Sequence, residues 1–130
     1  MINLQLQKVV YKKINSFFEI NKSIELQVQS TFSLNIEYDD SNKACFATLK
    51  NETFAPEHPD IFNIDIEIIG IFKCDGITDD EDKKIAHTEI YNYLFPYVQL
   101  MISDLSIKAG LPPLMVERAN QMPDEVTYTE

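Results

Sequence analysis

Ile24-Glu-Leu-Gln-Val-Gln-Ser-Thr-Phe-Ser-Leu-Asn-Ile-Glu-Tyr38 decides the fold class. Its even positions, Ile24, Leu26, Val28, Phe32, Leu34, Ile36 and Tyr38, are apolar with the one exception of Ser30. The odd positions Glu25, Gln27, Gln29, Thr31, Ser33, Asn35 and Glu37 are polar. A period of two puts successive side chains on opposite faces of a strand, so this segment reads as a strand of an antiparallel sheet with one face buried and the other in water.

Working outward, Asp39-Asp-Ser-Asn42 supplies turn chemistry. Lys43 to Ala55 reads as a less regular strand that closes a hairpin with the first. Pro56-Glu-His-Pro-Asp60 ends it. Alternation then returns, with Phe62, Ile64, Ile66, Ile68, Phe72 and Cys74 on one face and Asn63, Asp65 and Glu67 on the other. Ile69 and Ile71 interrupt the polar face, which predicts that this end is covered by another body such as a second subunit. Upstream, Leu4 to Phe18 holds Leu4, Leu6, Val10, Tyr11, Phe17 and Phe18 without a constant period, and reads as a strand with a bend.

After Asp75-Gly76 the period changes. Thr78 and Glu81 have the spacing of a capping box. Leu94, Val98, Met101 and Leu105, flanked by Phe95, Ile102 and Ala109, fall at helical spacing. Pro96 should kink this helix, Gly110 should end it, and Pro112-Pro113 prevents its continuation. The predicted architecture is α+β, a four-stranded antiparallel meander sheet with a kinked C-terminal helix packed on one face. Residues 1–122 form a single domain and 123–130 a polar tail expected to be flexible.

Composition narrows the function. Eight Phe and 45% hydrophobic residues in 130 are enough for one core. The excess of 21 acidic over 11 basic side chains gives a net charge of -10, which argues against nucleic acid as partner. Neither an export signal nor an apolar run of membrane-spanning length is visible, so a cytoplasmic protein without stable membrane insertion is expected. Cys45 and Cys74 lack CxxC spacing and are expected to be free buried thiols. His58 and His87 show no ligand or triad spacing, and the acidic run from Asp75 to Asp82 lacks the order of a calcium loop. Gly70, Gly76 and Gly110 are too dispersed to cradle a phosphate. No catalytic residue, metal or cofactor is expected.

Three ordered elements now carry a resemblance: Gly70-Ile-Phe72, Leu94-Phe-Pro-Tyr97 and Gly110-Leu-Pro-Pro-Leu114, with Tyr11, Ser16 and Phe17 matching upstream. In this order and at these distances they resemble the SecB family of protein-export chaperones, over about residues 4 to 122. The resemblance implies an antiparallel sheet with helices packed on it, assembled as a homo-oligomer, dimer or tetramer, with long helices between sheets. It implies ATP-independent binding of unfolded or precursor polypeptides, in a groove for which Ile24, Leu26, Val28, Leu111, Leu114 and Met115 are candidates. It also implies delivery to the motor SecA through an acidic sheet face, here Asp65 with Glu67 and, offset by one residue, Glu19. Tyr97, Met101 and Leu105 are candidates for the oligomer interface. Some SecB-like proteins serve a single partner such as an antitoxin, and an adaptor dimer of the same fold is a further alternative. Gln99 stands where the family has Arg, and the sequence stops where the family's second helix would begin.

Overall fold

The computed structural model describes residues 2–19, 27–58 and 60–111, and the backbone of 125–129. The chain runs β1 (Asn3–Phe18), β2 (Gln29–Tyr38), β3 (Ala44–Phe54), β4 (Phe62–Asp75), α1 (Asp80–Lys108) and β5 (Glu125–Thr129). The sheet order is β1-β4-β3-β2-β5. β1, β4, β3 and β2 pair antiparallel, and β5 lies parallel to β2. The predicted four antiparallel strands and C-terminal helix are therefore present, and the segment read as tail contributes a fifth strand.

The alternation in β2 and β4 translates directly into burial. Phe32, Leu34, Ile36 and Tyr38 of β2 and Phe62, Ile64, Ile66, Ile68, Phe72 and Cys74 of β4 are all buried. β3, the irregular strand of the sequence, also alternates, with Cys45, Ala47, Leu49, Asn51 and Thr53 inside. Two of these are polar, and they satisfy each other. Asn51 Nδ2 donates to Ser30 Oγ at 2.7 Å and to the Thr31 carbonyl at 3.1 Å, while Thr53 Oγ1 donates to Asn51 Oδ1 at 2.9 Å. Hydrogen bonding removes most of the penalty for burying such groups.

β1 explains its own missing period. Its register against β4 shifts between Leu6 and Lys8 and again between Tyr11 and Lys13. Each extra residue turns the following side chains to the opposite face. Leu4 and Leu6 face inward, then Val9 and Tyr11, then Phe18, whose ring meets Phe62 edge-on at 5.1 Å. Val10 and Phe17, by contrast, are exposed.

The turn between β2 and β3 is organised by Asp39. Its carboxylate accepts the amides of Lys43 at 2.8 Å and Ala44 at 3.2 Å, and Asn42 takes a positive φ of 54°. Backbone hydrogen bonds of this kind hold the Asp39 carboxyl below its usual range.

Helix α1 starts one residue later than the capping box predicted. Asp79, not Thr78, is the cap and accepts the Asp82 amide at 2.8 Å. The Asp82 carboxylate reaches back to the Thr78 amide at 3.0 Å and hydroxyl at 2.8 Å, so Asp82 fills the role expected of Glu81. An aspartate acceptor at the cap and acids in the first turn suit the free amides and the dipole. The helix ends as predicted: Gly110 adopts φ 82°, and Leu111 N–H reaches the Ser106 carbonyl at 3.0 Å.

Pro96 lies inside one continuous helix rather than dividing it. Its neighbours explain why. Leu94 and Val98 are fully buried on either side, and their packing outweighs the roughly 3 kcal/mol that a helix-interior proline costs. The buried line is Lys83, Ala86, His87, Ile90, Tyr91, Leu94, Val98, Ile102 and Ser106. Met101 and Leu105, placed at its centre by the sequence reading, are half-buried on its flank. Where helix and sheet meet, Phe32, Tyr91 and Phe95 form an aromatic triangle with centroids 5.3–5.9 Å apart. Tyr11 Oη donates to the Tyr97 carbonyl at 3.0 Å and ties β1 to the helix.

Candidate functional site

Among the described residues no cluster of three or more His, Cys, Asp or Glu side chains could hold a metal ion, and no helix is long and apolar enough to cross a membrane. The two cysteines are brought together. Cys74 Sγ lies 3.4 Å from Cys45 Sγ on the inner face, and both are buried. The hydrogen bond shared with Cys74, and then burial, hold the Cys45 thiol well above its ordinary value, and the same bond lowers that of Cys74, which is itself buried. His58 is exposed in the loop before β4. His87 is buried beside Tyr38, with ring centroids 6.3 Å apart. Burial, and then the charge of Lys83, lower the His87 pKa and keep the ring neutral near pH 7. Lys83, also buried, lies over the Tyr38 ring at 5.1 Å.

The surfaces are more informative than the interior. The outer face of α1 carries Ile85, Tyr93, Leu100 and Ile107, which are 52%, 44%, 68% and 54% exposed. The last three are spaced by seven residues and form one stripe along the helix, opposite the buried line. Tyr97, Met101 and Leu105, the interface candidates from the sequence, are half-buried and pack against the core. The spacing of seven between Tyr93, Leu100 and Ile107 is a signal present in the sequence itself, beside the Leu94–Val98 pattern of the buried side.

The outer sheet face carries a second apolar patch. Phe46, half exposed, is paired with Ile71, and Ile69 is paired with exposed Val10. The interruption of the polar face at Ile69 and Ile71 is thus part of a patch spanning β1, β4 and β3. Beside it lies the acidic position of the sequence reading, and here the pairing changes the expectation. Lys13 Nζ meets Asp65 at 2.9 Å, and the Glu67 carboxylate is shared by Lys12 at 3.3 Å and Lys50 at 3.5 Å. The lysines come from β1 and β3, so the neutralisation could not be read from β4 alone. Glu19 is exposed and has no ion pair among the described residues.

Of the groove candidates, Ile24, Leu26, Leu114 and Met115 lie outside the described residues. Val28 is 36% exposed just before β2, and Leu111 is half-buried against the core at the other end of the chain's helix. Thr31, Ser33, Lys50, Glu52 and Asp65 help line a hollow of about 280 Å³ across β2, β3 and β4.

These features can be set beside known proteins. Residues 1–122 match the family described as preprotein translocase subunit SecB. The protein-export protein SecB of Orientia tsutsugamushi (strain Boryong) is 26% identical over 104 residues, which cover 80% of this chain and 64% of the relative. That of Hydrogenovibrio crunogenus is 29% identical over 122 residues, 88% of this chain and 80% of the relative. The chain thus spans a little under two-thirds of the Orientia protein. In fold it resembles a Mycobacterium tuberculosis SecB-like chaperone solved with a ChAD peptide from the HigA1 antitoxin, with a TM-score of 0.68, 18% identity and coverage of 90% and 88% of the two chains. A Streptococcus agalactiae protein of unknown function shares the fold more distantly, with a TM-score of 0.52 and 15% identity. With its sheet, its helix and residues 1–122 all in agreement, the chain belongs to the SecB family.

Proposed function

We propose that this protein is a cytoplasmic, ATP-independent holding chaperone that binds unfolded or precursor polypeptides and works as a homo-oligomer. The observation that carries the reading is the presence, in a SecB-family chain, of two uncovered apolar surfaces on opposite sides of the core. Exposed apolar area of this extent is the property a soluble protein keeps for binding other chains. The stripe Ile85, Tyr93, Leu100 and Ile107 suits packing against a second copy, because a regular helical row is self-complementary across a two-fold axis. The Phe46 and Ile71 patch suits contact with unfolded chains. Catalysis has no support from any constellation described above.

The test is suppression of aggregation. A denatured precursor diluted into buffer should scatter less light as the protein is added towards equimolar ratio, with no effect of ATP. Unchanged scattering at every ratio would sink the reading.

A second reading, service to a single partner such as an antitoxin, is favoured by the acidic face. Asp65 and Glu67 are engaged by Lys12, Lys13 and Lys50, which leaves Glu19 as the exposed acid of the three and gives little support to delivery through a SecA-type contact. Under this reading one antitoxin segment binds much more tightly than generic unfolded chains, and competition between the two separates the readings.

A further inference from the structure

The charge of the sheet differs from that of the chain. β1 to β4 hold as many lysines as acids, Lys8, Lys12, Lys13, Lys50 and Lys73 against Glu37, Glu52, Asp65, Glu67 and Asp75, on a chain whose net charge is -10. The excess acid therefore lies elsewhere. Around the apolar patch of the outer face, lysine prevails. On one side Lys8 is paired with Ile71, which is paired in turn with Phe46, and Lys73 follows two residues beyond Ile71 on the same face. Lys8, Lys73 and Lys43 are exposed and have no ion pair among the described residues. Lys43 and Lys73, with Asp75 as the one acid, help line a hollow of about 360 Å³ at that end. On the other side three ammonium groups, those of Lys12, Lys13 and Lys50, hold the two carboxylates of Asp65 and Glu67. Glu37, paired with Phe46 from β2, marks the acidic margin.

We propose that this face is the docking site of an extended polypeptide segment whose apolar side chains are bounded by acidic ones. The proposal rests on the chaperone reading above and names the chemistry of the chain that the patch takes. The apolar side chains cover Val10, Ile69, Ile71 and Phe46, of which Val10 and Phe46 are 38% and 50% exposed. The acidic ones meet Lys8 and Lys73, and the hollow beside Lys43 admits one carboxylate. From Lys73 to Glu67 the patch follows six residues of β4, roughly 20 Å of strand, so about six residues of extended partner match it. Charge at the rim of an apolar contact selects among partners and sets the encounter rate. A flat anionic bilayer would also meet the rest of a strongly negative chain, whereas a narrow segment meets the patch alone.

Two fluorescein-labelled peptides with one apolar centre, Glu-Asp-Leu-Phe-Val-Leu-Asp-Glu and Lys-Arg-Leu-Phe-Val-Leu-Arg-Lys, test this by anisotropy at low salt. Net charge alone favours the basic peptide. The unaltered protein should instead bind the acidic one about tenfold more tightly, the combined effect of a few exposed charge contacts. Lys8→Glu with Lys73→Glu, both at exposed sites, should abolish that preference, and Phe46→Ser should weaken both peptides. Equal binding, a preference for the basic peptide, or a preference unmoved by the lysine variant would overturn the proposal. A smaller mass in light scattering for the lysine variant would give the face to a second copy of the chain, and lysine-dependent sedimentation with phosphatidylglycerol vesicles would give it to a membrane surface; either overturns it. A protein that suppresses aggregation without preferring the acidic peptide keeps the chaperone reading and loses this one. A protein that prefers the acidic peptide, through Lys8 and Lys73, and suppresses no aggregation loses the chaperone reading and keeps the site.

Discussion

Leu94 closes directly over Gly70. A Cβ built at residue 70 would lie 2.6 Å from Leu94 Cδ2 and 2.9 Å from Phe72 Cε1. Gly70 pairs with Ala47 of β3 and Val9 of β1, and Ala47 pairs with Ile36 of β2. Small residues on the two central strands therefore form a shallow trough into which α1 settles at Leu94. The glycine of the Gly-Ile-Phe motif is explained by this close approach. Gly70→Ala forces Leu94, fully buried, off its site and should cost about 1–3 kcal/mol, the usual range for overpacking a core. Leu94→Ala alone should cost about 2–5 kcal/mol through the cavity it leaves. The double variant should be more stable than the sum of the two losses, because each change relieves the other. Additive losses in urea unfolding would show that the contact is not the cause.

Acid stability should depend on His87. Burial first, and the Lys83 charge second, lower its pKa in the folded protein below the ordinary histidine value of 6.5. For a group depressed in this way, the stabilisation is complete above the unfolded pKa and is lost as pH falls through the folded pKa, because the unfolded chain takes up the proton first. Urea midpoints should therefore be flat above about pH 7 and decline from about pH 6.5 downward. His87→Gln should flatten the upper part of that decline. An unchanged slope between pH 6.5 and 5 in the variant would assign the effect to other groups.

The cysteine pair should be unreactive in the folded state. Both thiols are buried, and although the hydrogen bond they share raises the Cys45 thiol and lowers that of Cys74, burial keeps a reagent from either. Only the thiolate attacks a disulfide reagent. Labelling with Ellman's reagent should be at least about tenfold slower in native buffer than in guanidinium, because it requires local opening. Rapid labelling of two thiols per native chain would contradict the burial described here.

The outer stripe of α1 gives an assembly prediction. Leu100 and Ile107 are 68% and 54% exposed, so replacing both by Glu leaves the core intact and should change the melting temperature little. Charge in the centre of an apolar interface should reduce the mass measured by light scattering to that of a smaller species. Met101→Ser on the half-buried flank should act mainly on stability. A mass unchanged by Leu100→Glu with Ile107→Glu would place the interface elsewhere, with the β1 edge as the next surface to vary.

Much of the architecture was written in local periods. The alternation of Phe32 to Tyr38 and of Phe62 to Cys74, the turn chemistry of Asp39 to Asn42 and the stop at Gly110 each reflect a single residue's preference for water, core or backbone angle. Such preferences survive in the order of the chain, and the three motifs on the same elements carried the family. Other features depend on relations between strands. Register shifts turned β1's alternation over twice, so Val10 faces outward and Val9 inward. Lysines from β1 and β3 neutralise the Asp65 and Glu67 of β4, which removed most of the acidic face that the residues of β4 alone suggested. Both sides of α1 carry apolar residues, and only the packed sheet shows that Leu94 lies inside and Leu100 outside. The place of β5 beside β2, and the meeting of Cys45 with Cys74, are likewise set by pairing between distant segments. One strand's period records what surrounds it on average, but its partners are chosen by register, and register is settled only when the whole sheet closes around its core.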